Sequence, residues 1–341
     1  MTVIVTPPAG PSYSLARRAS RQYSGMLRFI LFKVGRAVLV VVAATMLTQA
    51  LLNLTPGGLA ASILGQGATP AGVRQLNRQL GLDRPFLVQY AIWAGRALRG
   101  NLGTSPLTHA PVWGTIRQAL PETLELVVLA VILSLVGAIV VALLGARRPG
   151  GYADRVGNVV SSLFLAVPTF VLAPVLVYFI AVRLRWFPVT GWTALSTSIL
   201  GNLHTAILPA MAVALPQFAV FQRILRGDLG AVLEEDYIDA ARSRGISEAR
   251  VLVRHAFRPA SLSLLTVAGL SIGYLLGGTI IVEVLFALPG MGPVLQGAIV
   301  QHDLVVVQGF VVFFAATYVM LNLAVDLLYR AVDPRIRGAG S

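Results

Sequence analysis

The sequence predicts an all-α integral membrane protein that crosses the bilayer six times. Three observations carry that prediction. Hydrophobic residues make up 56% of the chain and charged residues only 12%, about half the charged share of a soluble domain. The apolar residues collect in six runs, each near the roughly 20 residues a helix needs to cross the hydrocarbon core. The 27 Lys and Arg residues, source of the +13 net charge, sit at the ends of those runs. That distribution belongs to membrane topology and not to a nucleic-acid-binding face.

The elements follow in order. Residues 1–25 are rich in Pro, Ser and Gly and read as a disordered N-terminal extension. Met26 opens the membrane-like sequence and is a second possible start. A first span is expected over 27–52, with Arg28, Lys33 and Arg36 near enough to its start to reach the interface. It forms one unit, 26–121, with a long external segment. In that segment Thr69-Pro70 starts a helix and Gly81 ends it. An amphipathic helix follows, with Phe86, Tyr90, Trp93 and Leu98 as its apolar positions. Five further spans form a core unit over 122–330. They are expected at 122–145, 156–182, 203–222, 260–282 and 304–329. The fourth is the weakest, because Pro209 and Pro216 lie inside it. A short tail, 331–341, closes the chain.

Charge fixes the expected orientation. Alternate connections, counted from the N-terminus, hold 19 of the 27 basic residues, and the intervening ones hold eight. The positive-inside rule then puts both termini in the cytoplasm, which an even number of spans permits.

One inner connection differs from the rest. Residues 234–260 are the only long polar, helix-patterned stretch between apolar runs, and they overlap an inner coupling segment taken as 228–259. Glu234, Glu235, Asp236 and Asp239 crowd the first turns of a helix, where the macrodipole favours anions. Gly245 can take the left-handed conformation that stops a helix, and Ser247 offers an N-cap for the next. Tyr237 and Ile238 are candidate apolar anchors for a partner. Ala240 and Ala241 would let that partner approach the backbone. Charged stretches are usually solvated faces, so composition alone leaves a solvated linker open.

Asp239-Ala240-Ala241, three residues, then Gly245 resembles the EAA loop of ABC-importer permeases. The wider string EDYIDAARSRGISEARVLVRHAFRPA is similar to the B-type permease subunit of dipeptide and oligopeptide importers. Further motifs of that subfamily are resembled by LGLDRP at 80–85, GNLG at 100–103, PETLEL at 121–126, PGMG at 289–292 and DPR at 333–335. The resemblance runs from about Met26 to Arg337. Two departures stand out: Asp239 replaces the usual Glu, and Pro259 stands where a polar residue is expected.

The resemblance implies the type I importer permease fold in a bacterial cytoplasmic membrane. It implies a translocation path for short peptides, and a coupling helix formed by Tyr237, Ile238, Asp239, Ala240, Ala241, Gly245 and Ser247 that docks on an ATPase. The implied partners are a second homologous permease, two ABC ATPase subunits, an extracytoplasmic substrate-binding protein and the lipid bilayer, with no nucleic acid. No cofactor is implied for this chain; ATP and Mg belong to the ATPase subunits. Permeases for nickel, glutathione or another small solute share nearly all these motifs and remain the alternative.

Other residues are weighed separately. Glu283, near the outer end of the fifth span, is a candidate for the translocation path or its outer gate; Asp326 is a weaker one. Pro168 and Pro174 in the third span, and Pro209 and Pro216 in the fourth, are expected to bend helices. Pro168 and Pro216 are the candidates for a gating kink, against ordinary packing. Gly269, Gly273, Gly277 and Gly278 have the small-residue spacing of closely packed helices. The four His residues show no paired metal spacing, there is no Cys, and no P-loop sequence occurs.

Overall fold

A computed structural model describes residues 64–81 and 83–332, together with 32, 34–36, 38–50 and 60. The N-terminal extension, the DPR motif and most of the tail lie outside the described residues, and so does the side chain of Asp326. Within the described residues the chain is helical, without a strand; one isolated bridge pairs Thr104 with Pro111.

An apolar helix, α1, covers Val34–Ala50. The segment that follows carries α2 (Pro70–Leu80) and α3 (Phe86–Ala97). Both ends of α2 follow the sequence signals. Thr69 Oγ1 accepts from Gly72 N at 3.1 Å, Pro70 opens the first turn, and Gly81 takes φ +69°. Tyr90 of α3 bonds Thr45 of α1 at 2.8 Å, which ties the two helices together.

Among the described residues four helices are long and apolar enough to cross a membrane: α4 (Val112–Ala146), α7 (Ile199–Leu233), α9 (Glu248–Gly278) and the described part of α12, which runs Leu304–Val332. Between α4 and α7 lie α5 (Tyr152–Ala166) and α6 (Thr169–Leu176), the latter extended by a π-helical turn over Val177–Arg183. The third span, expected over 156–182 with bends at its prolines, is broken at Pro168. Its two halves meet at an angle of 111°. Val167 and Pro168 at the break are extended, with ψ 119° and 145°. The proline ring bars the α conformation at the residue before it and lacks an N–H to continue the helix. Pro209 and Pro216, by contrast, lie inside α7 without interrupting it.

The hub is α7, packed against α4, α5, α6 and α9. A cluster of α4, α7 and α9 residues around Phe221, Leu225 and Leu264 fills one end of the bundle. A second, around Leu126, Leu208 and Phe286, fills its middle. At the other end Val112 and Ile116 of α4 meet Phe310 of α12 and Met291 of α11 (Met291–Val300). Two buried polar pairs stitch α7 to its neighbours: Gln217 to Ser271 at 2.9 Å and Ser161 to Gln222 at 2.8 Å. The glycine stripe divides. A Cβ on Gly269 would come 2.8 Å from Val325, and one on Gly273 would come 3.0 Å from Tyr318, so these two admit α12. Gly277 and Gly278 face open space.

Candidate coupling surface and the buried carboxylate of the PGMG loop

A short helix, α8 (Asp236–Ser243), lies between the ends of α7 and α9. Asp236 and Asp239 occupy its first turn, where they oppose the positive end of the helix dipole. Gly245 ends it as the sequence requires: φ is +77°, its N–H donates to Arg242 O at 2.9 Å, and Ile246 N donates to Ala241 O at 3.3 Å. Ser247 stands at the N-cap position of α9, but its side chain makes no capping bond; its backbone carbonyl accepts from Arg250 and Val251.

Burial splits α8 into two faces. Ile238 is 0% and Ala241 8% exposed, and both join the cluster containing Leu229, Val251, Leu252 and Ala256. Tyr237, Asp239, Ala240, Ser243 and Arg244 are exposed. The expectation that Ile238 offers an anchor to a partner, and Ala241 an approach to the backbone, is therefore corrected. Both side chains seat α8 on the protein's own core. Tyr237, Ala240 and Arg244, at helical spacing, present the outer face.

Arg242 closes the motif. Its Nη1 lies 3.1 Å from Asp239 Oδ1 and its Nε 3.0 Å from Glu248 Oε1, so it bridges α8 to the start of α9. Glu248 first and Asp239 second push its pKa above the usual arginine value. Both carboxylates are exposed, so the bridges orient the turn more than they stabilise it.

At the opposite end, Glu283 lies in α10 (Ile280–Leu285) and is 1% exposed. Its Oε2 accepts from Gly292 N at 2.6 Å, while Oε1 is buried with no hydrogen-bond partner among the described residues. Thr123 Oγ1 of α4 accepts from Met291 N at 2.9 Å. The PGMG loop is thus pinned from two helices. No side chain fits there: a Cβ on Gly292 would lie 2.5 Å from Ile280 O, and one on Gly290 would overlap Glu283 Oε2. In the single chain Glu283 holds this loop and lines no open path. Pro168 is exposed at the α5–α6 break, and Pro216 is half-buried inside α7.

Two contacts escaped sequence reading. Arg226 of α7 makes a bidentate pair with Asp154 of α5, Nε–Oδ1 2.7 Å and Nη2–Oδ2 2.9 Å, and Gly150 N donates to the same carboxylate at 2.9 Å. Asp154, the one acid in the basic RRPGGYADR turn, was the available signal. Ser105 bonds Asp303, tying the GNLGTS segment to the start of α12. A lone acid before an apolar run is the signal there.

Residues 138–338 match a family described as "Binding-protein-dependent transport system inner membrane component", and residues 26–127 match its N-terminal component. A peptide ABC transporter permease protein of Sinorhizobium fredii is 39% identical over 287 residues, 84% of this chain and 92% of that one. An oligopeptide transport system permease protein of Bacillus subtilis is 33% identical over 314 residues, 91% of this chain and 99% of that one. A crystal structure of an amino acid ABC transporter is similar with a TM-score of 0.46 and 19% identity, covering 65% of this chain and 94% of that one.

Proposed function

The chain belongs to the inner-membrane components of binding-protein-dependent transport systems, and from that premise we propose that it forms half of the translocation path for short peptides. It is a multi-pass permease subunit of an ABC importer and not itself an enzyme. The peptide cargo is supported by the names of relatives that match this chain nearly end to end. Those names favour peptides over nickel or glutathione.

The observation that carries the coupling role is the two-faced α8. Ile238 and Ala241 fix its inner face to the bundle core, while Tyr237, Ala240 and Arg244 leave its outer face bare. A force applied to the outer face passes directly into α7 and α9 through the buried contacts. In this reading the bare face docks on an ATPase subunit in the cytoplasm, and ATP and Mg are bound there, not here. A second permease completes the path, an extracytoplasmic binding protein delivers the peptide, and both termini are cytoplasmic. Closure of the ATPase pair pushes α8 and rocks the bundles between inward-open and outward-open states, a two-state element biased from a distance.

Purification of the tagged chain from its native membranes in mild detergent, with mass spectrometry of the companions, tests the assembly. A second permease and P-loop ATPases are the expected companions. The chain alone, under conditions that keep other importers intact, would overturn the coupling role.

A further inference from the structure

Beside α8 lies a cavity of about 720 Å³, walled by the end of α4 and its following turn, the end of α7, and the starts of the α8–α9 connection and α9. Four arginines line it, Arg147, Arg148, Arg226 and Arg242, together with two carboxylates, Glu234 and Glu248, of which Glu248 is paired with Arg242. Arg147 and Arg148 are exposed and form no ion pair among the described residues. Arg226 spends Nε and Nη2 on Asp154, and its Nη1 makes no bond among the described residues and lies next to Gly230 on the cavity wall. Arg242 spends Nε and Nη1 and keeps Nη2. Four separate guanidinium groups therefore have donors left to offer, two of them held in place by their ion pairs. A tetrahedral anion with several acceptor oxygens satisfies such a donor set, with charge-assisted bonds.

We propose that this cavity binds the phosphate headgroup of an anionic phospholipid of the inner leaflet. This rests on the cytoplasmic placement of α8 proposed above. Size argues for a lipid over a free ion: 720 Å³ is the range of clefts for drug-sized ligands, far more than one phosphate fills. The lining argues the same way, because Leu233 and Leu252 give it apolar wall beside the arginines. Its position does too, since Arg147 and Arg148 directly follow Ala146, the last residue of the apolar helix α4. Basic pockets at the cytoplasmic ends of spans are the usual seats of such headgroups. A lipid bound there would brace the seat of α8 and make coupling depend on membrane charge.

The test is lipid binding by the full chain, with whatever subunits it retains, read by native mass spectrometry during titration with phosphatidylglycerol. Arg147→Ala/Arg148→Ala should bind roughly tenfold more weakly than the natural chain. The control Arg155→Ala/Arg258→Ala removes the same charge from exposed positions outside the cavity and should bind as the natural chain does. Equal binding by all three, or equal loss in both variants, overturns the proposal. Displacement of the lipid by millimolar inorganic phosphate would make the ligand the free ion and also overturns it. Lipid bound by the free chain but absent from the assembled complex would give the cavity to an acidic segment of a protein partner, against the proposal. Orientation is read independently. The chain has no Cys, so Ser247→Cys labelled by an impermeant thiol reagent only after cell lysis confirms the cytoplasmic side. Labelling of intact cells would sink the orientation while leaving the binding measurement standing.

Discussion

The hydroxyl of Tyr237 donates to the carbonyl of His255 across 3.4 Å. Pro259, four residues after His255, has no N–H to offer that carbonyl. The chain answers in two ways: a π-helical turn over Val251–Ala256, and a donor from α8. The departure at Pro259 thus becomes a link between the coupling helix and α9, which continues unbroken to Gly278.

Tyr237→Phe should remove that link while keeping the ring on the outer face. At 3.4 Å and with Tyr237 46% exposed, the loss of stability is small, under about 1 kcal/mol. The expected effect is on coupling: ATP hydrolysed per peptide imported rises while the thermal midpoint in detergent barely moves. An unchanged ratio in reconstituted vesicles would show that α8 transmits force without this bond.

Gly245 separates backbone strain from steric fit. Its φ of +77° is left-handed, yet an added Cβ would meet nothing within 4 Å. The cost of a side chain is therefore conformational, about 1–2 kcal/mol for an ordinary residue and least for Asn, which tolerates this region. Gly245→Asn should retain peptide uptake, and Gly245→Val should lose most of it together with the recovered ATPase. Equal behaviour of the two in uptake and co-purification would mean that the turn itself is not what matters.

Glu283 should tolerate Gln and reject Leu. Gln keeps an acceptor for Gly292 N, whereas Leu strands that buried donor at a cost of roughly 1–3 kcal/mol. Gly292→Ala should fare worse, because its Cβ would sit 2.5 Å from the Ile280 carbonyl and 2.9 Å from Glu283 Cβ. Folded yield and thermal midpoint in detergent read the order: natural, Gln, Leu, then Gly292→Ala. A Leu variant as stable as the natural chain would remove Glu283 from the role of loop anchor.

What the sequence carried, and what it did not, follows the range of the interactions. Local signals held at Thr69, Pro70 and Gly81 around α2, and at Asp236, Asp239 and Gly245 around α8. Pro121 misled by a different route. Read as the last residue before the second span, it lies inside a helix that begins at Val112, because Val112, Ile116 and Ala119 are buried against Met291 and Phe310. Pro168 announced a bend but not one of 111°, since neighbouring helices set the angle. Ile238 was misplaced for the same reason: hydrophobicity ranks it with Tyr237 as an anchor, and only the packing of Val251 and Leu252 beneath α8 decides which one is covered.

Among the described residues Asp154–Arg226 is the ion pair that joins residues farthest apart in sequence, and a double-mutant cycle can reach it. The side chains are 8% and 18% exposed, so each lone substitution leaves a largely desolvated group without its partner. Asp154→Asn and Arg226→Ala should each cost about 3 kcal/mol, near the low end for a buried pair because of that residual exposure. The double variant should cost less than the two added together, with a coupling of roughly 1–3 kcal/mol. Urea or thermal unfolding in mild detergent supplies all four corners. Strict additivity would mean that α5 is held to α7 by Ser161–Gln222 and apolar packing alone, and that the basic turn at Arg147–Gly151 is free to move independently of α7.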